Sequence, residues 1–161
     1  MKKYSIELKW ALVFAAMSLV WMLLERLVGL HGTHIDKHAT YTNLIAIPAI
    51  AVYVLALLEK RRKDYGGVMT WKQGFISGLI ITLMVTVLSP LTQVITSKII
   101  TPDYFSNVIE YAVSSGKMDR AAAEQYFNLG SYIVQGLIGA PVMGALTSAV
   151  VALFTRKKDL D

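Results

Sequence analysis

Four apolar runs separated by short polar stretches set the pattern of this chain. The first is Trp10 to Leu30, WALVFAAMSLVWMLLERLVGL, interrupted only near its end by Glu25 and Arg26. The others are Thr42 to Leu58, Gly74 to Ile95 and Ser131 to Phe154. A helix needs about 20 mostly apolar residues to cross the hydrocarbon core, and each run meets or approaches that length. Strands are excluded, because an open sheet edge in lipid leaves backbone groups unpaired. The pattern therefore predicts an all-α integral membrane bundle forming a single domain over 1–161. Its helices are expected at about 10–30, 42–59, 73–97 and 131–154. The first run is too long for a signal-peptide core and no small-x-small exit follows it, so it reads as an uncleaved helix.

The stretch 98–130 is too polar to span and too regular for a loose loop. Thr101 is placed to cap a helix with Pro102 in its first turn. Phe105, Val108, Ile109, Ala112 and Val113 form an apolar stripe, and Gly116 ends it. Asp119 is placed to cap a second helix. The expectation is an outward-facing helical hairpin that lies on the bundle or roofs it, with a partner-binding surface as the alternative.

Composition agrees with lipid as solvent: 55% apolar residues and 17% charged, against roughly 25% charged in soluble domains, with a mean hydropathy of +0.50. The net charge of +5 changes the picture only through its placement. Lys2, Lys3, Lys9, Lys60, Arg61, Arg62, Lys63, Lys72, Arg156, Lys157 and Lys158 flank the runs on one side. Arg26, Lys37, Lys98, Lys117 and Arg120 lie on the other. This bias of eleven against five predicts both termini and the EKRRKDYGG loop on the cytoplasmic side. A basic cluster beside anionic lipid accounts for the charge without nucleic acid. The absence of cysteine excludes disulfides, thiolate zinc sites and cysteine nucleophiles.

ERLVGLHGTHIDKHATYTNLIAIPAI, then YGGVMTWKQGFISGLIITL, then TPDYF and the glycine-rich last run resemble a bacterial family of small four-helix membrane proteins, the domain of unknown function 4199. The likeness covers nearly the whole chain. It implies a multi-pass protein of the bacterial inner membrane, and it implies no activity.

The faces of the predicted helices point to packing seams. Gly136, Ala140, Gly144 and Ser148 recur at four-residue steps on the last helix, with Pro141 a candidate kink. Gly74, Gly78, Thr82, Thr86, Ser89, Gln93 and Thr96 share a face of the third, and Ala11, Ala15, Ser18, Met22, Glu25 and Gly29 share one of the first. Small residues of this kind let membrane helices approach closely. Packing within the chain is the expected use, and a homodimer through the last-helix groove is the alternative.

Glu25 is the only carboxylate inside one of the four apolar runs. Arg26, His31, Gln93 and Gln135 fall at a matching depth toward the outer end, where Tyr41 and Asn43 open the second helix. These form the candidate polar cluster. An intramembrane acid is a structural tie between helices or a ligand or proton site. His31, His34 and His38 are candidate ligands for zinc, copper or nickel. Gly29, Gly32 and the chain reversal predict a turn that divides them, and Asp36 is better placed to cap the second helix, so no metal or other cofactor is expected. No Ser-His-Asp spacing, phosphate-binding glycine loop or HExxH is present, so no catalytic residues are assigned. The expected role is a non-enzymatic accessory or assembly subunit whose partners are the bilayer and an unidentified membrane protein. The alternatives are a small transporter or channel using the Ser/Thr stripe, and a metal or proton sensor using the polar cluster.

Overall fold

A computed structural model describes residues 4–157 of the chain. Lys2, Lys3 and Lys158, used above for orientation, lie outside the described residues. The protein is all-helical: α1 (Ser5–Leu27), α2 (Ile35–Tyr41), α3 (Ala46–Asp64), α4 (Trp71–Ile95), α5 (Tyr104–Ser114), α6 (Arg120–Tyr126) and α7 (Leu129–Thr155). A short 3-10 turn, Thr42–Ile45, joins α2 to α3, and a π-helical turn, Thr96–Ile100, extends α4. Four helical stretches are long and apolar enough to cross a membrane: Ser5–Leu27, Ile35–Asp64, Trp71–Ile100 and Leu129–Thr155. The second is longer than the apolar run alone predicts, because the histidine-bearing α2 continues into α3.

α1 begins at Ser5 rather than Trp10, and this corrects the view of Glu25 as the only carboxylate in a span. Glu7 lies inside the helix, 1% exposed. The Lys60 ammonium of α3 reaches its Oε1 at 2.7 Å, and the Ser77 hydroxyl of α4 donates to the same oxygen at 2.8 Å. Lys60 also pairs with Asp64 at 2.6 Å. Beside this group Glu59 accepts from the Trp10 indole at 2.7 Å and pairs with Lys9 and Lys63. The termini-bearing end of the bundle is thus clamped by ion pairs between α1 and α3 and by a hydrogen bond from α4.

The apolar core sits toward that same end: Ala11, Tyr53, Ala56, Leu57, Met69, Ile81, Val151 and Ala152. α4 starts with a complete capping box, Thr70 accepting from the Gln73 N–H while the Gln73 side chain accepts from the Thr70 N–H. Met69 and Lys157 exchange backbone hydrogen bonds at 2.9 Å, fastening the α3–α4 turn to the end of α7.

α4 and α7 pack through the two small-residue stripes. A methyl group added at Gly144 would meet the side chain of Thr82, one at Gly78 would lie 2.5 Å from the Ser148 Oγ, and one at Gly74 would lie 3.3 Å from the Ala152 Cβ. Gly136 faces Ser89 in the same register. The last-helix groove is therefore filled by α4 of the same chain, which takes from the homodimer alternative the surface it was based on. α7 runs unbroken through Pro141.

Between the third and fourth spans, α5 and α6 form the expected hairpin, with Tyr104, Val108, Ala112 and Ala123 buried. Asp119 caps α6 by accepting from the Ala122 N–H at 2.8 Å. Thr101 does not cap α5. Asp103 holds the capping position without a side-chain bond, and Thr101 is buried under the hairpin, its N–H bonded to the Thr96 carbonyl at 2.8 Å. The π turn accounts for the shift, since its wider winding rotates Thr96, Ser97 and Thr101 inward.

Candidate functional site

The site is built by the way α1 ends. Gly29 adopts φ +82°, a conformation that side-chain-bearing residues disfavour. Its N–H bonds the Arg26 carbonyl at 3.0 Å while the Leu30 N–H reaches back to the Glu25 carbonyl at 2.9 Å. This pair of bonds is a Schellman motif, which stops the helix and reverses the chain within one turn. The reversal carries His31 back onto the side chain of Glu25. The Gly29 carbonyl then accepts from the Gly32 and His34 N–H groups, and α2 starts one residue later, at Ile35. Less than one turn into α2, His38 faces the same carboxylate.

Glu25 is 2% exposed and His31 5%. The Nε2 atoms of His31 and His38 stand 2.9 Å and 3.3 Å from the same oxygen, Glu25 Oε2. The Trp21 indole donates to the other oxygen at 2.5 Å. Tyr104, the first residue of α5, closes the group from above. The His31, His38 and Tyr104 rings form a triangle with centroid separations of 5.1 to 5.2 Å. Burial pushes the Tyr104 phenol far up from its ordinary pKa, helped by the neighbouring Tyr132 and by the charge of Glu25, so Tyr104 presents a protonated hydroxyl. That hydroxyl lies 3.2 Å from the Tyr132 hydroxyl and 3.5 Å from His38 Nδ1. Asn107 of α5 donates to the His31 carbonyl at 2.8 Å, holding the hairpin over the turn.

Below the rings lies a cavity of about 200 Å³ whose walls include His31, His38, Gln93, Thr96, Ser97 and Tyr132. Gln93 donates to Ser97 at 3.1 Å along one wall. Donor atoms of Glu25, His31 and His38 all lie within 4.8 Å of one another, an arrangement able to hold a metal ion.

The expected turn is present, yet it divides the histidines only in part. His34 is exposed beside Thr33, whereas His31 and His38 are brought together across the turn. Asp36 sits exposed in the first turn of α2, and the capping position belongs to His34, without a side-chain bond. Of the predicted polar cluster, Glu25 and His31 meet directly and Gln93 lines the cavity. Arg26 turns away and donates to the Ile100 carbonyl, tying α1 to the π turn. Gln135 is exposed and bonds Ser131 of its own helix at 3.0 Å, and Asn43 bonds the Ala39 carbonyl at 2.9 Å. Trp21 and Tyr104 were missed. Trp21 precedes Glu25 by four residues, a spacing that places both on one helix face.

No curated protein and no solved structure matches the chain. The family described as protein of unknown function (DUF4199) matches residues 9–157, nearly the whole bundle with its hairpin, and the chain belongs to that family.

Proposed function

We propose that this is a non-enzymatic, multi-pass protein of the bacterial inner membrane, with both termini cytoplasmic and a ligand-holding chamber opening on the outer side. It serves as an accessory subunit that holds its ligand beneath the α5–α6 hairpin and acts on a partner in the membrane. The observation that carries this reading is the cavity between Tyr104 of the hairpin and the bundle, into whose mainly apolar walls His31, His38, Gln93 and Thr96 bring polar groups. A buried carboxylate without a fixed positive partner costs several kcal/mol in a membrane bundle, and such groups are kept mostly where they act. The basic residues support the orientation, since they cluster at the end opposite the chamber. The polar groups facing the cavity are imidazoles, hydroxyls and an amide, a set suited to binding.

A transport path along α4 finds less support. Thr82, Thr86, Ser89 and Thr92 each donate to a carbonyl of their own helix, and the seam they occupy is packed against α7.

The absence of native cysteine makes the test direct. In spheroplasts, an impermeant thiol reagent is expected to label Ser106→Cys on the hairpin and, if small, Gln93→Cys in the chamber, while sparing Lys63→Cys. Labelling of Lys63→Cys in place of Ser106→Cys overturns the orientation. A Gln93→Cys that stays unreactive from the outside overturns the chamber.

A further inference from the structure

We propose that Glu25, His31 and His38 bind one divalent first-row transition-metal ion such as Zn2+, leaving an open coordination position toward the chamber. The proposal rests on the chamber reading above and gives it a ligand class.

The distances come first. A four-coordinate ion with bonds of about 2.0–2.1 Å to nitrogen and oxygen places its donors roughly 3.3 Å from one another. The two imidazole Nε2 atoms stand 2.9 and 3.3 Å from Glu25 Oε2. All three donor atoms lie within 4.8 Å of one another, a spread that side-chain rotations would close around an ion. The donor set also has the right chemistry, since imidazole with carboxylate suits zinc and its neighbours in the first row. Three protein ligands and one free position is the pattern of an open zinc site.

The surroundings hold the ligands as metal ligands are held. Trp21 fixes the second carboxylate oxygen of Glu25, Tyr104 stands at the far nitrogen of His38, and Asn107 pins the backbone of His31. The contact at the His38 ring is an outer partner of the kind that sets ring orientation and tautomer in metal sites, while Asn107 places His31 through its backbone.

Charge argues in the same direction. Without a cation, two neutral imidazoles can each donate an Nε2–H to Glu25 Oε2, but neither ring supplies a counter-charge to the buried carboxylate. A divalent ion would supply it, taking a lone pair from each ring and one from the carboxylate. The other ring nitrogen of His31, Nδ1, is buried with no partner among the described residues; it points away from Glu25 and is a place for an ordered water rather than for the ion. His34, three residues away in sequence, belongs to none of this. It is exposed and bonded to Thr33.

The test is a titration of chelator-stripped, detergent-purified protein with Zn2+, followed by calorimetry. One ion per chain is expected. His31→Ala and His38→Ala are each expected to weaken binding by more than about 100-fold, beyond the 10- to 100-fold typical of losing an outer partner. His34→Ala is expected to leave it unchanged. Because these variants could fold poorly, Co2+ is also added to the unmodified protein, where intense visible d–d bands of a four-coordinate ion are expected. The proposal is overturned by no saturable binding to the unmodified protein, by a six-coordinate cobalt spectrum, or by equal losses in His34→Ala and His38→Ala. If Zn2+ fails to bind while Gln93→Cys is still labelled from outside, the metal is ruled out and the chamber stands.

Discussion

Glu7 and Glu25 are two buried carboxylates on one helix, and they are solved differently. Eighteen residues of α1 separate them, about 27 Å along the axis at 1.5 Å per residue, close to the roughly 30 Å of a hydrocarbon core. Each therefore sits near one boundary of the span. Glu7 meets a fixed cation, Lys60, and a hydroxyl from a third helix. Its counter-charge is covalently placed, though Lys60 is shared with Asp64 and Glu7 Oε2 is buried with no partner among the described residues, and the result is a clamp. Glu25 meets two imidazoles and an indole, none of which carries a permanent charge. Its neutralisation is left to something that arrives through the cavity its partners His31 and His38 line, whereas the cavity beside Glu7 is lined by the Lys60 and Asp64 already paired there. Burial alone does not mark a functional acid in a membrane bundle; the nature of its partners does.

The largest expected effect is at the clamp. Lys60→Ala leaves Glu7 buried without its cation, a change of the kind that costs 3–5 kcal/mol, so a marked fall in thermal stability in detergent is expected. The double variant Glu7→Gln, Lys60→Met should recover most of it. If Lys60→Ala melts like the parent, the ion pair is not the clamp described.

A smaller effect is expected at the other acid. Glu25→Leu should destabilise by roughly 1–3 kcal/mol by stranding buried donors, whereas Glu25→Gln should keep the fold. The same thermal scans check this. A Glu25→Leu protein of unchanged stability would contradict the buried, hydrogen-bonded carboxylate.

Gly29→Ala tests how the Glu25 end is assembled. The left-handed conformation costs a residue with a Cβ about 1–2 kcal/mol, and that Cβ would lie 2.5 Å from the Thr33 hydroxyl oxygen. Stability should fall by that modest amount, and Zn2+ affinity should fall with it, while the Glu7 end is untouched. Parent-like affinity would show that the reversal at Gly29 does not place His31.

The contrast between the two ends was only partly legible in the sequence. The four spans follow from length and apolarity, and the α4–α7 seam from small residues at four-residue steps, both local properties of a helix. The seam also implied that Gln135, one residue before Gly136 and so about 100° around the helix at 3.6 residues per turn, faces away from the bundle. Reasoning from depth alone put it in the cluster. Glu7 was hidden because apolarity marks the lipid-buried run, while a helix continues past it wherever polar side chains find partners. Lys60 is such a partner, and it is distant in sequence. The convergence of His31 and His38 was hidden for another reason. A turn can separate two rings or fold them together, and the choice depends on the hydrogen bonds that Gly29, Leu30 and His34 make around it. Tyr104 and Asn107 reach the site from a hairpin whose docking no local pattern encodes.

The central claim, that one acid is a clamp and the other a receptor, is tested most directly by elemental analysis. Metal per chain would be measured in the parent, Glu7→Gln and Glu25→Gln proteins after Zn2+ loading and gel filtration. The account predicts about one ion per chain in the parent and in Glu7→Gln, and a loss of it in Glu25→Gln. Equal metal content in the two variants, whether retained or lost, would contradict it.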